Sequence, residues 1–126
     1  MKWLLILLAV VILLMGSIVP LAGMMVTKGL ENPGKSWAPG LTQKGARMRM
    51  FFGNYAAAAK VWLRAASTWP KHPDHPRMLY RVAFCLEKSD NTKLAVLWYE
   101  KYLASYPSHI WKDQAQRRLA QLKSGV

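Results

Sequence analysis

Two stretches of the chain, Gly53–Pro70 (GNYAAAAKVWLRAASTWP) and Asp90–Pro107 (DNTKLAVLWYEKYLASYP), are versions of one 18-residue pattern. Asn54 matches Asn91, Ala58 matches Ala95, Trp62 matches Tyr99, Trp69 matches Tyr106 and Pro70 matches Pro107, each pair 37 residues apart. Self-similarity at such a period marks a stacked helical array, in which each unit buries its apolar face only against a neighbour. Arrays of this kind present extended binding surfaces.

Outward from the repeat, helical periodicity continues over the whole stretch from Leu41 to the C-terminus. It predicts helices over about 41–52, 54–68, 75–88, 91–105 and 110–123, and no alternating β-branched run suggests a strand. Gly53 permits the turn between paired helices. Ala58 and Ala65 are small enough for neighbouring helices to approach, Trp62 lies on the same face between them, and Pro70 ends the helix. The expected fold is all-α.

The set Gly53, Tyr55, Ala58, Trp62, Ala65 and Pro70 resembles the second helix of the tetratricopeptide repeat (TPR), with its G-x-Y-x-x-A-x-x-x-aromatic-x-x-A pattern and closing proline. The resemblance covers about residues 41–123 of a domain expected over 41–126. It implies a first repeat over 41–70, a second over 76–107 and a capping helix over 110–123. In the second repeat Leu79, Val82, Ala83 and Leu86 fit the first-helix positions, and Ala95, Tyr99 and Pro107 the second-helix ones. It departs from the pattern at Asp90, where glycine is usual, at Thr92, where tyrosine is usual, and at Tyr102, where alanine is usual. In the first repeat, Gly45 and Arg49 stand where large apolar residues are usual, so that helix is expected to be short or to pack against the N-terminal segment or a partner. Leu119 and Ala120 repeat Val82 and Ala83 in the cap. The long polar turn Lys71–Pro76 is similar to TPR proteins of the bacterial envelope.

First helices line the concave groove of a TPR array. The resemblance therefore implies Arg77, Tyr80, Arg81 and Phe84 as groove residues, with Arg117 and Arg118 from the cap. Trp98 and Trp111 are less constrained by the repeat, and tryptophan near arginine is a common binding anchor.

Trp3–Val26 runs for 24 residues without a charge, enough for a helix that crosses a bilayer. Residues 1–26 are expected to be a single membrane anchor, with Pro20 kinking or ending its first stretch. A cleaved signal peptide is the rival reading, since Lys2 precedes the apolar run, but no small-residue cleavage site is evident. Lys28, Lys35 and Lys44 on the far side argue for a cytoplasmic domain by the positive-inside rule. The two-residue head before a long apolar run resembles a bacterial signal-anchor, and the expectation is an inner-membrane protein with a periplasmic domain.

Residues 27–40 hold Gly29, Gly34, Gly40, Pro33 and Pro39 and are expected to be a linker. Within them Gly29–Ser36 matches a phosphate-binding loop literally. Such a loop needs a strand before it and a helix opening at its lysine, and the flanking sequence offers neither.

Outside the apolar segment, residues 27–126 carry 17 of the 18 Lys and Arg and all six acids, a net charge of +11. This favours anionic partners. The cations are dispersed along the helices rather than clustered, so anionic lipid is an expected partner class and nucleic acid is not. His72, Asp74, His75 and His109 read as turn residues rather than metal ligands, and Cys85 as a small core residue. No catalytic constellation can be assembled, and neither an enzyme nor a cofactor is expected. The leading expectation is a membrane-anchored adaptor that grips a protein partner. The alternatives are a small accessory subunit of a large respiratory or photosynthetic membrane complex, and a basic module on anionic lipid or nucleic acid. With only about two and a half repeats, the fold is expected to be completed by a partner or by the membrane.

Overall fold

The structure, a computed structural model, describes residues 1–125, with side chains described for all of these except 17–19. Six helices and no strand occur among the described residues: α1 (Lys2–Glu31), α2 (Ala38–Phe51), α3 (Tyr55–Thr68), α4 (His75–Lys88), α5 (Thr92–Ser105) and α6 (Lys112–Ser124). Each helix packs chiefly on the next. α1 is long and apolar enough to cross a membrane.

Two kinds of turn set the spacing. Inside a pair, the chain reverses through one residue with positive φ, Gly53 at 77° and Asp90 at 63°. The Asn54 N–H then donates to the Arg49 carbonyl at 2.8 Å, and the Asn91 N–H to the Leu86 carbonyl at 2.9 Å. This closes the ends of α2 and α4 in a Schellman-type arrangement. Glycine adopts it freely, whereas Asp90 is one of the few other residue types that tolerate it. The Asn54 side chain then caps α3 by accepting from the Ala57 N–H.

Between pairs the turn opens on a residue–proline step, which holds the residue before proline out of helical geometry. Trp69 and Tyr106 stand at φ −122° and −134° before Pro70 and Pro107, and Asn32 stands at −125° before Pro33. The hydrogen bonds repeat with them. Lys35, His72 and His109 donate N–H to the carbonyls of Asn32, Trp69 and Tyr106 at 3.1, 3.2 and 3.3 Å. Ala38, His75 and Lys112 then donate to Lys35, His72 and His109 at 3.1, 2.9 and 3.0 Å. The period of 37 residues therefore extends back to Pro33.

The expected linker over 27–40 is accordingly corrected. Residues 27–31 belong to α1 and residues 38–40 to α2, so only 32–37 connect them, as a third copy of the inter-pair turn. Pro39 does not break a helix: it lies in the first turn of α2, where a missing N–H is no loss. Pro20 does not end α1. The match to a phosphate-binding loop straddles the end of α1 and this turn, with Gly29 buried in the helix and Lys35 and Ser36 exposed.

The last turns of α1 occupy the place of a second helix in a preceding pair. Ala22, Val26 and Gly29 are buried against Ala38, Thr42, Gly45 and Ala46 of α2. A Cβ added at Gly45 would stand 2.6 Å from Val26 Cγ2 and 2.9 Å from the Ala22 carbonyl oxygen. The absence of side-chain bulk at Gly45, which departs from the repeat pattern, is what lets these helices touch.

Further along, the core is filled by Trp62, Met78, Val82, Tyr99 and Tyr102, with Ala58, Ala65, Ala83 and Ala95 admitting close approach. Tyr102 is fully buried where alanine is usual, and its hydroxyl lies 2.5 Å from His109 Nδ1 in the third turn. The turns are also tied together. Trp69 Nε1–H donates to the Pro33 carbonyl at 2.9 Å, and the Tyr106 hydroxyl lies 2.6 Å from His75 Nδ1. Each aromatic before a turn proline thus reaches back to the preceding turn. Ala120 is exposed rather than part of the core, because no helix follows α6 among the described residues to cover it. Ala115 is the residue that α6 buries fully.

Candidate partner-binding face

The first helices of the pairs, α2, α4 and α6, carry the arginines singled out by the sequence. On α4, Arg77 and Arg81 are one turn apart and therefore on one face. Their guanidinium carbons lie 5.6 and 5.4 Å from the ring centroid of Trp111, and Arg81 is also 4.9 Å from Trp62. On α6, Arg118 lies 4.8 Å from the Phe84 ring and donates from Nη1 to Glu87 Oε2 at 2.9 Å. Glu87 Oε1 accepts from the Tyr99 hydroxyl at 2.9 Å, so one carboxylate joins α4, α5 and α6.

Stacking a guanidinium on an aromatic face leaves its N–H edge free to meet a carboxylate or phosphate in bidentate fashion. It also holds the long side chain in place, which lowers the ordering required when a ligand binds. Burial and the neighbouring charges of Arg47 and Arg77 draw the Arg81 pKa below the usual guanidinium range. An anion bound there would relieve the like-charge repulsion among them.

Of the proposed groove residues, Arg77, Arg81, Phe84, Trp111 and Arg118 come together. Arg117 is exposed on α6 beside them. Tyr80 does not belong to the surface. It is 5% exposed and packs among Phe84, Tyr99, Tyr102 and Trp111, with ring centroids 5.0–6.3 Å away. Its position places the ring between α5 and α6, and it supports the arginine face from beneath. Its hydroxyl is sealed from solvent without a hydrogen bond of good geometry, although the Arg118 guanidinium acts on it electrostatically. Burial raises its pKa.

Trp98 is also apart from the cluster. It lies on α5 under Lys101, 4.7 Å away, and borders a cleft of about 300 Å³ with Leu63, Leu86 and Leu94.

Sequence reasoning missed Lys44 and Arg47 on α2. Lys44, Arg81 and Arg118 follow at 37-residue intervals, one cation at the same position of each first helix. The signal was the repeat period itself, extended one unit towards the N-terminus.

The turn histidines have local partners. His72 Nδ1 accepts from the Asp74 N–H at 3.0 Å, and His109 Nδ1 from the Trp111 N–H at 3.3 Å. Burial lowers the pKa of both His75 and His109. No group of three or more His, Cys, Asp or Glu among the described residues is arranged to hold a metal ion. The Cys85 thiol is buried and pushed up to about 12, so it stays protonated. In comparisons with known proteins, the chain matches no family model and no curated protein.

Proposed function

We propose that this chain is a membrane-tethered adaptor of the tetratricopeptide type, whose first-helix face binds an acidic segment of a protein partner. The observation that carries the proposal is the clustering of Arg77, Arg81 and Arg118 on Trp111, Trp62 and Phe84. Planar cations held against aromatic faces suit bidentate recognition of carboxylates. The ladder of Lys44, Arg81 and Arg118 extends this face. Each cation sits on its own first helix, and neighbouring first helices touch through side chains such as Arg118 and Glu87, so an extended acidic segment can cross the cations in turn. In this reading α1 crosses the membrane and holds the binding face close to it. The reading includes a bacterial inner membrane with the array on its outer side, as the signal-anchor form of the N-terminus suggests.

The test is affinity purification of the full chain in mild detergent, beside a variant carrying Arg77→Glu and Arg81→Glu. Arg77 is exposed and Arg81 half-buried on the Trp62 and Trp111 rings, so circular dichroism checks that the variant keeps its helical content before recovery is compared. A co-purifying chain that is lost from the variant, and that is released from the original by raising the salt concentration, supports the reading. Equal recovery of every partner from both would refute it.

A further inference from the structure

The end of α2 is not accounted for by packing within the array or by the arginine face. Phe51 is 84% exposed and Phe52 39% exposed, with their rings in edge contact 5.2 Å apart. Their height is set by the pairing of α1 and α2. The two helices run antiparallel, with Gly29 against Thr42, Gly45 against Val26 and Ala22, and Gly23 against Arg49. Following that register, Phe51 and Phe52 come level with the stretch of α1 just before Ala22. Phe52 and Ala22 border one cleft, and both phenylalanines border another with Met25.

That height has a physical meaning. A bilayer hydrocarbon core takes up about 20 helical residues. A span that opens at Trp3 therefore ends near Ala22, where hydrocarbon gives way to headgroups. Leu21 and Met24 are 44% and 68% exposed at the same level and continue the apolar surface of α1 towards α2. The charge beside them has one sign. Arg47 is exposed, Arg49 lies along α1 at Gly23, and no Asp or Glu occurs between Glu31 and Asp74. Aromatic rings at the interface with cations reaching into the phosphate layer are the usual chemistry of a helix end resting on a membrane.

We propose that the α2–α3 turn is a second membrane contact, in which Phe51 and Phe52 enter the interfacial layer and Arg47 and Arg49 hold anionic headgroups. The bilayer is the one that α1 crosses, so the inference rests on the reading of α1 as a span. The array is then seated on the membrane at two points. No flexible tether intervenes, because α1 continues as one helix into the first pair.

The test uses the full chain carrying single cysteines at Ile12, Phe51 or Leu97, each spin-labelled and reconstituted into phosphatidylcholine vesicles with about one quarter phosphatidylglycerol. Cys85 is buried and left in place, with the unsubstituted chain as the labelling control. Relaxation by oxygen, which partitions into lipid, is compared with relaxation by a water-soluble nickel chelate. The label at Phe51 is expected to favour oxygen, as at Ile12, while the label at Leu97, exposed on α5, favours the chelate. A Phe51 label as aqueous as that at Leu97, with Ile12 still in lipid, would overturn the seat and leave the span standing. A Phe51 label shielded from both reagents would also overturn it, by showing that protein covers the turn. An aqueous Ile12 label would remove the span, and the seat with it. In the background of Arg47→Gln with Arg49→Gln, or in pure phosphatidylcholine, the oxygen preference at Phe51 is expected to drop, on the order of fivefold in seated population for each cation removed. An unchanged preference would overturn the role assigned to headgroup charge.

Discussion

The contact between α1 and α2 lies across a turn between pairs, the contact between α4 and α5 across a turn inside a pair, and the two are built from opposite materials. The first is made by small residues, Ala22, Gly29, Ala38, Gly45 and Ala46, so the helix backbones come close. The second is filled by Met78, Tyr80, Val82, Tyr99 and Tyr102. The alternation of the two turns sets the period, while the space between helices is settled locally, by approach in one place and by filling in the other. A contact of small residues also suits a helix that leaves a membrane, where side-chain packing between close backbones replaces the hydrophobic effect.

The largest effect is expected in the filled region. Trp62→Ala removes a side chain that is fully buried, with its Nε1–H directed at the Met50 sulfur at 3.2 Å. A loss of about 3–5 kcal/mol is expected in denaturant unfolding. The close contact is expected to fail differently, through overpacking. Gly45→Leu places a side chain where even a Cβ meets Val26 at 2.6 Å, and a loss of about 1–3 kcal/mol or more is expected. Its distinguishing sign is a gain in hydrogen exchange at both the end of α1 and α2, with α4–α6 little changed. Uniform loss of protection across the whole array would mean that the two regions are not separable.

Smaller substitutions sharpen the comparison at the turns. Asp90→Gly relieves a positive φ that Gly53 adopts freely in the equivalent turn, and about 1 kcal/mol of stabilisation is expected. A fall in the thermal midpoint would show that the Asp90 side chain contributes more than its backbone strain removes. Tyr80→Phe keeps the ring and deletes a sealed hydroxyl that has no hydrogen bond of good geometry but lies within the influence of Arg118, so a change within about 1 kcal/mol is expected. A clear loss would assign that hydroxyl a partner.

The weakest effect is a pH dependence confined to the second and third inter-pair turns, since the first, residues 32–37, has no histidine. His75 and His109 have folded pKa values drawn down by burial, with Lys101 and Arg77 adding repulsion. The unfolded chain, with imidazole pKa near 6.5, therefore binds these protons first. Stability from these sites is present above pH 6.5 and declines as the pH falls towards the folded values. A urea midpoint that rose on going from pH 7 to pH 5 in a His75→Gln, His109→Gln comparison would contradict this sign.

Much of this architecture was legible. The second helices announced themselves through Ala58, Trp62 and Ala65 and their partners 37 residues on, because helix faces that pack on both sides constrain residue type tightly. The N-terminal unit was not. Its second-helix segment is also part of an uncharged run, so the apolar character of Ala22 and Val26 reads as membrane and hides their packing role. Its turn, with Pro33, Gly34 and Pro39, has the composition of a linker, although Pro33 and Pro39 repeat Pro70 and Pro76 at the same interval. Among the candidate site residues, the arginines of α4 and α6 were expected from the repeat resemblance, and Arg77, Arg81 and Arg118 lie against aromatic rings of the first-helix face. Tyr80 was not separated from them, because an aromatic residue next to a core position fits either a groove or the space beneath it. Ala120 shows the remaining limit: its burial depends on a following helix rather than on its own helix.

The central claim is that the last turns of α1 are part of the repeat array. Urea unfolding of two chains, one beginning at Leu21 and one at Asn32, measures it directly. The account predicts that the shorter chain, which loses Ala22, Val26 and Gly29 and uncovers Thr42, Gly45 and Ala46, unfolds at a clearly lower urea concentration with a shallower transition. Coincident transitions of equal slope would show that α1 is only a tether and would contradict it.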